Sequence, residues 1–319
     1  MKPEFLPANV ALAANRIAPH IRETPLDESP FFSELTGAHV FLKLENLQHT
    51  GSFKLRGAFN KLLSMTSEQR AAGCVAASSG NHGAAVAHAM AKLDTRGVIF
   101  VPEGTSTTKV DAIRRAGGEV RFFGTDGLDT EIHAREYAAG NGMCYLSPYN
   151  DQDVITGQGT CGVEISKQLS KIDAIFIAVG GGGLISGVGS FLKSVNPSIS
   201  LVACQPAASA VMTESVKAGE ILDMPSEATL SDGTAGGIEA GAITFDICRS
   251  ITDDYVVVSE EQIAEAMQQF IDSHHMLPEG AAGVALAGLK LRADRYRDKN
   301  VVAIICGGNI SRETLKKII

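Results

Sequence analysis

No block of lysine and arginine interrupts this chain, whose formal net charge is −8 over 319 residues. That balance argues against nucleic acid or an anionic membrane as the main partner. No apolar run approaches membrane-spanning length, and the opening MKPEFLPANVALAANRIAPH lacks a basic-then-apolar leader pattern, so a cytoplasmic protein is expected. Tryptophan is absent. The six cysteines, Cys74, Cys144, Cys161, Cys204, Cys248 and Cys306, form no C-x-x-C pair. Free thiols in a reducing compartment follow, rather than disulfides or a zinc site. No tract has a disordered composition: 45% of residues are hydrophobic and 20% charged, as in an ordinary globular protein. The length suits two domains or one large α/β unit.

What is present is an alternation. The runs 39–45 (HVFLKLE), 74–78 (CVAAS), 97–101 (GVIFV), 119–123 (EVRFF), 173–179 (DAIFIAV), 200–205 (SLVACQ), 255–259 (YVVVS) and 300–306 (NVVAIIC) read as strands. Several are apolar at successive positions, as strands covered on both faces are. Helical patterns lie between them: NHGAAVAHAMAKL, TTKVDAIRRAGG, EQIAEAMQQFIDSHH and GAAGVALAGLKLRA. Repeated strand–helix alternation predicts an α/β fold with mostly parallel sheets. The stretch 74–123 reads as a self-contained series of four strands and three helices. The chain ends soon after its last strand, and no appended regulatory domain is expected.

Three glycine-rich stretches follow strands: SSGNHGAA (78–85), GGGGLISG (180–187) and CGGN (306–309). In an open parallel sheet ligands bind beyond the carboxyl ends of strands, where these loops fall. Four consecutive glycines exceed what a tight turn needs. They let successive backbone N–H groups converge at the positive end of a following helix, a cradle for a phosphate. The G-K-[ST] of a P-loop is missing, and positions 181–186 read GGGLIS rather than G-x-G-x-x-G. At the end of the next strand Gln205 and Pro206 stand where a dinucleotide site has its acidic residue. A small monophosphate remains. With Lys54 in the Gly/Ser-flanked segment TGSFKLRGAFNKL (50–62), the candidate is pyridoxal 5′-phosphate, which needs a lysine amine and a phosphate cup.

The segments TGSFKLRGAFNKL, SSGNHG, ITGQGT (155–160), GGGGLISG and CGGN, in this order, resemble the fold-type II pyridoxal-phosphate family, and within it the serine/threonine dehydratase and serine racemase branch. The resemblance spans about residues 15 to 310. It implies two packed open parallel-sheet domains of the tryptophan synthase β-like architecture: a large cofactor domain of residues 1–48 and 148–319, and a small domain of residues 49–147 supplying the substrate-carboxylate loop. It also implies a homodimer. On the family pattern Lys54 is the Schiff-base lysine and later the base at the α-carbon, with Phe53 helping to desolvate it. Asn81 lies at the cofactor's 3-hydroxyl, and Gly180, Gly181, Gly182, Gly183 and Leu184 form the phosphate site. Cys306 stands at the pyridine nitrogen, where the branch often has serine. Ser78, Ser79, Gly80, Asn81 and His82 hold the substrate carboxylate, and His82 has no proton-transfer role. A neutral thiol does not protonate the ring nitrogen, so β-elimination is favoured over a long-lived carbanion.

The activity implied is conversion of L-serine or L-threonine to pyruvate or 2-oxobutyrate plus ammonia; 3-hydroxyaspartate and phenylserine are alternative substrates. Ser79 keeps amino-acid racemisation open, since racemases of the family use a serine there on the face opposite the lysine; its bland alternative is a helix cap or loop hydroxyl. The racemases' cation-binding acids correspond to Gln205 and Val211, so no metal is expected there. Glu279 matches a family glutamate at the cofactor edge, or serves as a helix N-terminal charge. Gly236 and Gly237 are expected in a loop near the ring, and Arg56 in a structural ion pair. A protein that keeps the fold and merely binds a phosphate ligand is the non-enzymatic alternative.

Overall fold

The computed structural model describes residues 6–319, so the first five residues of the N-terminal segment lie outside it. Ten strands form two sheets: β1 (Leu26–Glu28), β2 (His39–Leu44), β3 (Cys74–Ala77), β4 (Gly97–Val101), β5 (Glu119–Phe122), β6 (Cys144–Tyr145), β7 (Ala174–Ala178), β8 (Ser200–Pro206), β9 (Asp254–Val258) and β10 (Asn300–Ile305). The larger sheet runs β1-β2-β10-β7-β8-β9 and the smaller β5-β4-β3-β6. Every pairing is parallel except β1 with β2. The central strands β7 and β10 are buried almost throughout, which is why they read as continuous apolar runs rather than alternating ones. All eight predicted strands form.

The series read at 74–123 needs correction. That stretch holds three strands, β3 to β5, and two helices, Asn81–Lys92 and Thr107–Arg115. The fourth strand of the small sheet is β6, at Cys144–Tyr145, and the third helix is Gly127–Gly140. β6 is two residues long and β1 three, too short to show a period.

The helix Gln152–Gln168 ties the two halves together. Glycines let its neighbours come close: a Cβ on Gly157 would lie 2.6 Å from the backbone of Arg56 and Gly57, and one on Gly187 would lie 2.2 Å from the carbonyl of Ile155. The ITGQGT motif is therefore a double helix crossing, against the helices Lys54–Ser64 and Gly183–Val195. A buried charge cluster locks the first crossing. Arg56 donates to Glu45 at 2.7 and 2.8 Å and to Glu164 at 2.6 and 2.8 Å. Lys43 donates to the same Glu164 at 2.6 Å and to the carbonyl of Thr24 at 2.7 Å. Two cations meet two carboxylates, so no net charge is stranded in the interior. Arg56 is the structural ion-pair residue the sequence predicts. Among the described residues no helix is long and apolar enough to cross a membrane.

Candidate active site

The loops after β3, β7 and β10 open onto one cavity of about 1600 Å³ between the two sheets. Lys54, Phe53, Ser78, Ser79, Gly80, Asn81, His82, Gly180, Gly181, Gly182, Gly183, Leu184 and Cys306 all line it. The structure therefore brings together every site residue predicted from sequence. Gly236 and Gly237 line it too, from the loop before helix Ile243–Ile251.

Lys54 opens its helix, and the residues before it are clasped by the chain leaving β10. Phe53 N–H donates to the Cys306 carbonyl at 3.1 Å, Gly308 N–H to the Gly51 carbonyl at 2.9 Å, and Asn309 Nδ2 to the Thr50 carbonyl at 2.9 Å. The segments 50–53 and 306–309, far apart in sequence, thus form one small antiparallel unit with a bridge from Ser52 to Gly307. The Lys54 amine donates to the Pro148 carbonyl at 2.9 Å and lies 5.3 Å from the Phe53 ring centre. Burial pulls this amine from its ordinary 10.5 down to about 8, against the opposing pull of the Glu279 carboxylate. Cys306 adds no charge there, because burial raises its thiol well above the ordinary range and keeps it neutral.

At the end of β3 the chain turns back sharply: a Cβ on Gly83 would lie 2.1 Å from the Ser78 carbonyl. That return presents residues 78–82 to the cavity at the N-terminus of helix Asn81–Lys92. Gly80 is the cap of this helix and no side chain caps it. Ser79 is therefore a loop hydroxyl and not a cap. His82 is buried, with Nε2 2.9 Å from the Leu146 carbonyl. Burial first, and the Lys54 charge second, push its imidazole down to about 3. It is neutral near pH 7, with Nε2 as the donor to the Leu146 carbonyl.

The tetraglycine follows β7, with Gly182 at φ +85° capping helix Gly183–Val195. A Cβ on Gly181 would lie 2.4 Å from the Tyr149 ring, so that ring fixes the loop's shape. Successive N–H groups at this helix start are unobstructed by side chains, a geometry that suits an anion.

Opposite Lys54, the side chains of Asn81, Glu279, Cys306 and Asn309 form a chain. Asn309 Nδ2 donates to Asn81 Oδ1 at 2.7 Å, Asn81 Nδ2 to Glu279 Oε2 at 2.8 Å, and Cys306 Sγ to Glu279 Oε1 at 3.7 Å. Glu279 is 6% exposed, and burial raises its carboxyl from 4.5 to about 7, with the Asn81 hydrogen bond opposing. It stands at the start of helix Gly280–Leu291 but makes no side-chain cap bond; its carboxyl serves the cavity.

Sequence reasoning missed the segment 148–150. Besides the Pro148 carbonyl and the Tyr149 ring, Tyr149 Oη accepts from Glu239 N–H at 2.9 Å and Asn150 Oδ1 from Ile243 N–H at 2.9 Å. These residues hold Lys54, the glycine loop and the 236–243 loop together. Much of the work is done by backbone atoms, which leave no mark on residue identity. Arg135 was missed as well: from helix Gly127–Gly140 it bonds Glu131 at 2.7 Å and Glu239 at 2.6 Å beside the cavity. Gln205 is held in place by its own bonds, donating to the Val179 carbonyl at 3.1 Å and accepting from Thr213 N–H and Oγ1 at 2.7 Å.

A partly desolvated lysine, a side-chain-free anion cradle and a neutral thiol on one cavity fit an aldehyde-bearing pyridine phosphate. Comparison with known proteins agrees. The family model described as pyridoxal-phosphate dependent enzyme matches residues 17–307. The catabolic L-threonine dehydratase of Escherichia coli K12 is 38% identical over 308 residues, 96% of this chain and 93% of that protein. Processed threonine deaminase isoform 2 of Solanum lycopersicum superposes with a TM-score of 0.94 at 33% identity, covering 99% of this chain and 92% of the other. Maize serine racemase gives 0.92 at 31% identity, covering 98% and 95%. Sequence, fold and site geometry converge: this chain belongs to the pyridoxal-phosphate dependent enzymes, in their fold-type II architecture.

Proposed function

We propose that this enzyme is an ammonia-lyase that dehydrates L-threonine or L-serine, releasing 2-oxobutyrate or pyruvate and ammonia. The observation that carries the proposal is a lysine amine pulled down to about 8 in the cavity that also holds the glycine cradle and a neutral Cys306. Relatives named threonine dehydratase, threonine deaminase and L-serine ammonia-lyase support it. Bound pyridoxal phosphate supplies an aldehyde that condenses with amines and a ring that withdraws electrons from the substrate's α-carbon.

The protein's part is to hold and to move protons. Lys54 would hold the aldehyde, the N–H groups of residues 180–183 the phosphate, and Asn81 and Cys306 the ring. The loop 78–82 binds the substrate carboxylate at its helix start. Lowering the Lys54 amine from 10.5 to about 8 raises its neutral fraction at pH 7 about 300-fold. That makes it a usable base for the α-proton, and the Pro148 carbonyl accepts from it once it is protonated. Residues 49–147 act as the small domain and residues 1–48 with 148–319 as the large one; the homodimer and the cytoplasmic location belong to the same proposal.

A second reading rests on Ser79, whose hydroxyl lines the cavity and makes no hydrogen bond among the described residues. There it can return a proton to the α-carbon, giving racemisation. Incubation with L-serine, L-threonine, 3-hydroxyaspartate and phenylserine, with assays for 2-oxo acids and D-amino acids, tests both. The lyase reading expects 2-oxo acid and ammonia in equal amounts from threonine or serine; a D-amino acid as sole product overturns it. Ser79→Ala is expected to spare 2-oxo acid formation and remove any D-product.

A further inference from the structure

The carboxylate of Glu279 accepts on both oxygens, from Asn81 Nδ2 at 2.8 Å and from Cys306 Sγ at 3.7 Å. A thiol carries a single hydrogen. A sulfur that has given it to Glu279 offers a pyridine nitrogen only lone pairs, and two acceptors facing each other repel. The carboxyl lies close against the backbone of Gly307, where a Cβ would come within 2.5 Å of Oε2, so only a glycine there leaves it room. One proton taken up from solvent on Oε1 reverses the contact. Oε1 then donates to Sγ, the thiol hydrogen is released, and Oε2 continues to accept from Asn81.

We propose that Glu279 is a positioning residue whose protonation sets the direction of the Cys306 thiol hydrogen, toward the carboxylate or toward the ring nitrogen of bound pyridoxal phosphate. This rests on the reading of Cys306 as the ring-nitrogen partner. The groups facing Glu279 are Lys54 from the lysine helix, Asp232 from the 229–242 loop, Asn81, Cys306 and the backbone of Asn309. Burial and the Asp232 charge raise the carboxyl, and the hydrogen bonds from Asn81, Cys306 and Asn309 lower it, leaving it at about 7. Below that pH the carboxyl is protonated and the thiol hydrogen is free for the ring; above it, the hydrogen is drawn back.

The test is binding of pyridoxine 5′-phosphate to the full chain freed of cofactor, followed by fluorescence across pH. This probe has the ring nitrogen and the phosphate but no aldehyde, so Lys54 forms no bond to it. Lys54 and the probe's phosphate titrate in every variant compared, so differences between variants report Glu279 and Cys306. Between about pH 6 and pH 8, wild-type affinity is expected to fall roughly 3- to 10-fold further than that of Glu279→Gln, the worth of one hydrogen bond. The glutamine amide donates permanently to Sγ and keeps the low-pH affinity throughout. Cys306→Ser, which also has one hydrogen to give, keeps the step. Cys306→Ala loses the step and binds weakly at every pH. Thermal melts confirm that each variant is folded. A full step in Glu279→Gln or in Cys306→Ala overturns the proposal. Low-pH affinity equal to wild type in Cys306→Ala, with no step above it, overturns instead the placement of Cys306 at the ring nitrogen, and no binding by the wild-type chain overturns the cofactor site itself.

Discussion

Lys54 and Arg56 are two residues apart in one helix, and their surroundings could hardly differ more. Arg56 is fully buried and meets both Glu45 and Glu164 in paired hydrogen bonds. Burial alone would lower it, yet the carboxylates hold it well above its ordinary value. Burial likewise acts to raise Glu45, and the Arg56 guanidinium beside it wins, keeping that carboxyl below its ordinary value. Lys54 has a carbonyl at 2.9 Å and, among the described residues, the more distant Glu279 carboxylate as its counter-charge, so desolvation prevails. Glu279 is displaced upward by the same imbalance. A buried charge that is fully paired is scaffold; a buried charge left under-paired is displaced toward neutrality and becomes able to exchange protons near pH 7.

The largest effect expected of breaking this contrast is at Lys54. Lys54→Ala should lower 2-oxo acid formation by about 10⁴-fold or more and remove the near-visible absorbance of the bound cofactor. Its thermal melting point should hold or rise, because the alanine removes an under-paired amine. Arg56→Met should do the reverse, costing about 3–5 kcal/mol in denaturant unfolding by stranding the Glu45 carboxylate and leaving Glu164 with Lys43 alone, while the surviving folded fraction still binds cofactor.

The pH dependence of stability comes next, with opposite signs at the two regions. Glu279 is raised from 4.5 to about 7, so the folded protein holds its proton where the unfolded chain has lost it, and stability falls as pH rises between those values. Lys54 is lowered from 10.5 to about 8, so the unfolded chain holds more protons between those values and stability recovers there. A trough between about pH 7 and 8 is expected in the cofactor-free chain, and Glu279→Gln should fill it by up to about 3 kcal/mol. Glu45 behaves oppositely: its lowered carboxyl contributes stability above its ordinary 4.5 that is lost as pH falls below it. Urea melts across pH read both effects. The smallest change expected is in Gly181→Ala, whose Cβ would lie 2.4 Å from the Tyr149 ring; overpacking of about 1–3 kcal/mol should appear mainly as weaker cofactor affinity.

The parts of the site that depend on residue type were legible in the sequence. Glycines 180–183 stand out because only residues without Cβ leave their N–H groups bare, and β7 and β10 announce themselves by unbroken apolar runs. Lys54 gained meaning from those loops, distant in sequence and joined to it by the 50–53 and 306–309 clasp. What stayed hidden acts through backbone or through partners. The Pro148 carbonyl has no side-chain signature, and β6 is held by its neighbour β3 rather than by its own pattern. ITGQGT showed as a motif, yet the close crossing at Gly157 and Gly187 emerges only from three-dimensional packing. Glu279 was visible as a charge at a helix start; its displacement depends on burial and on Asn81 and Cys306 beside it.

The claim on which the rest depends is that the under-paired amine of Lys54 is the one that carries the cofactor. Borohydride reduction of the enzyme loaded with pyridoxal phosphate fixes the cofactor to its lysine, and peptide mass mapping then locates it. The expected result is one modified peptide, spanning TGSFKLR, with the added mass on Lys54 and none elsewhere. A modification on another lysine, or no modification in protein that binds the cofactor and turns over threonine, would contradict it.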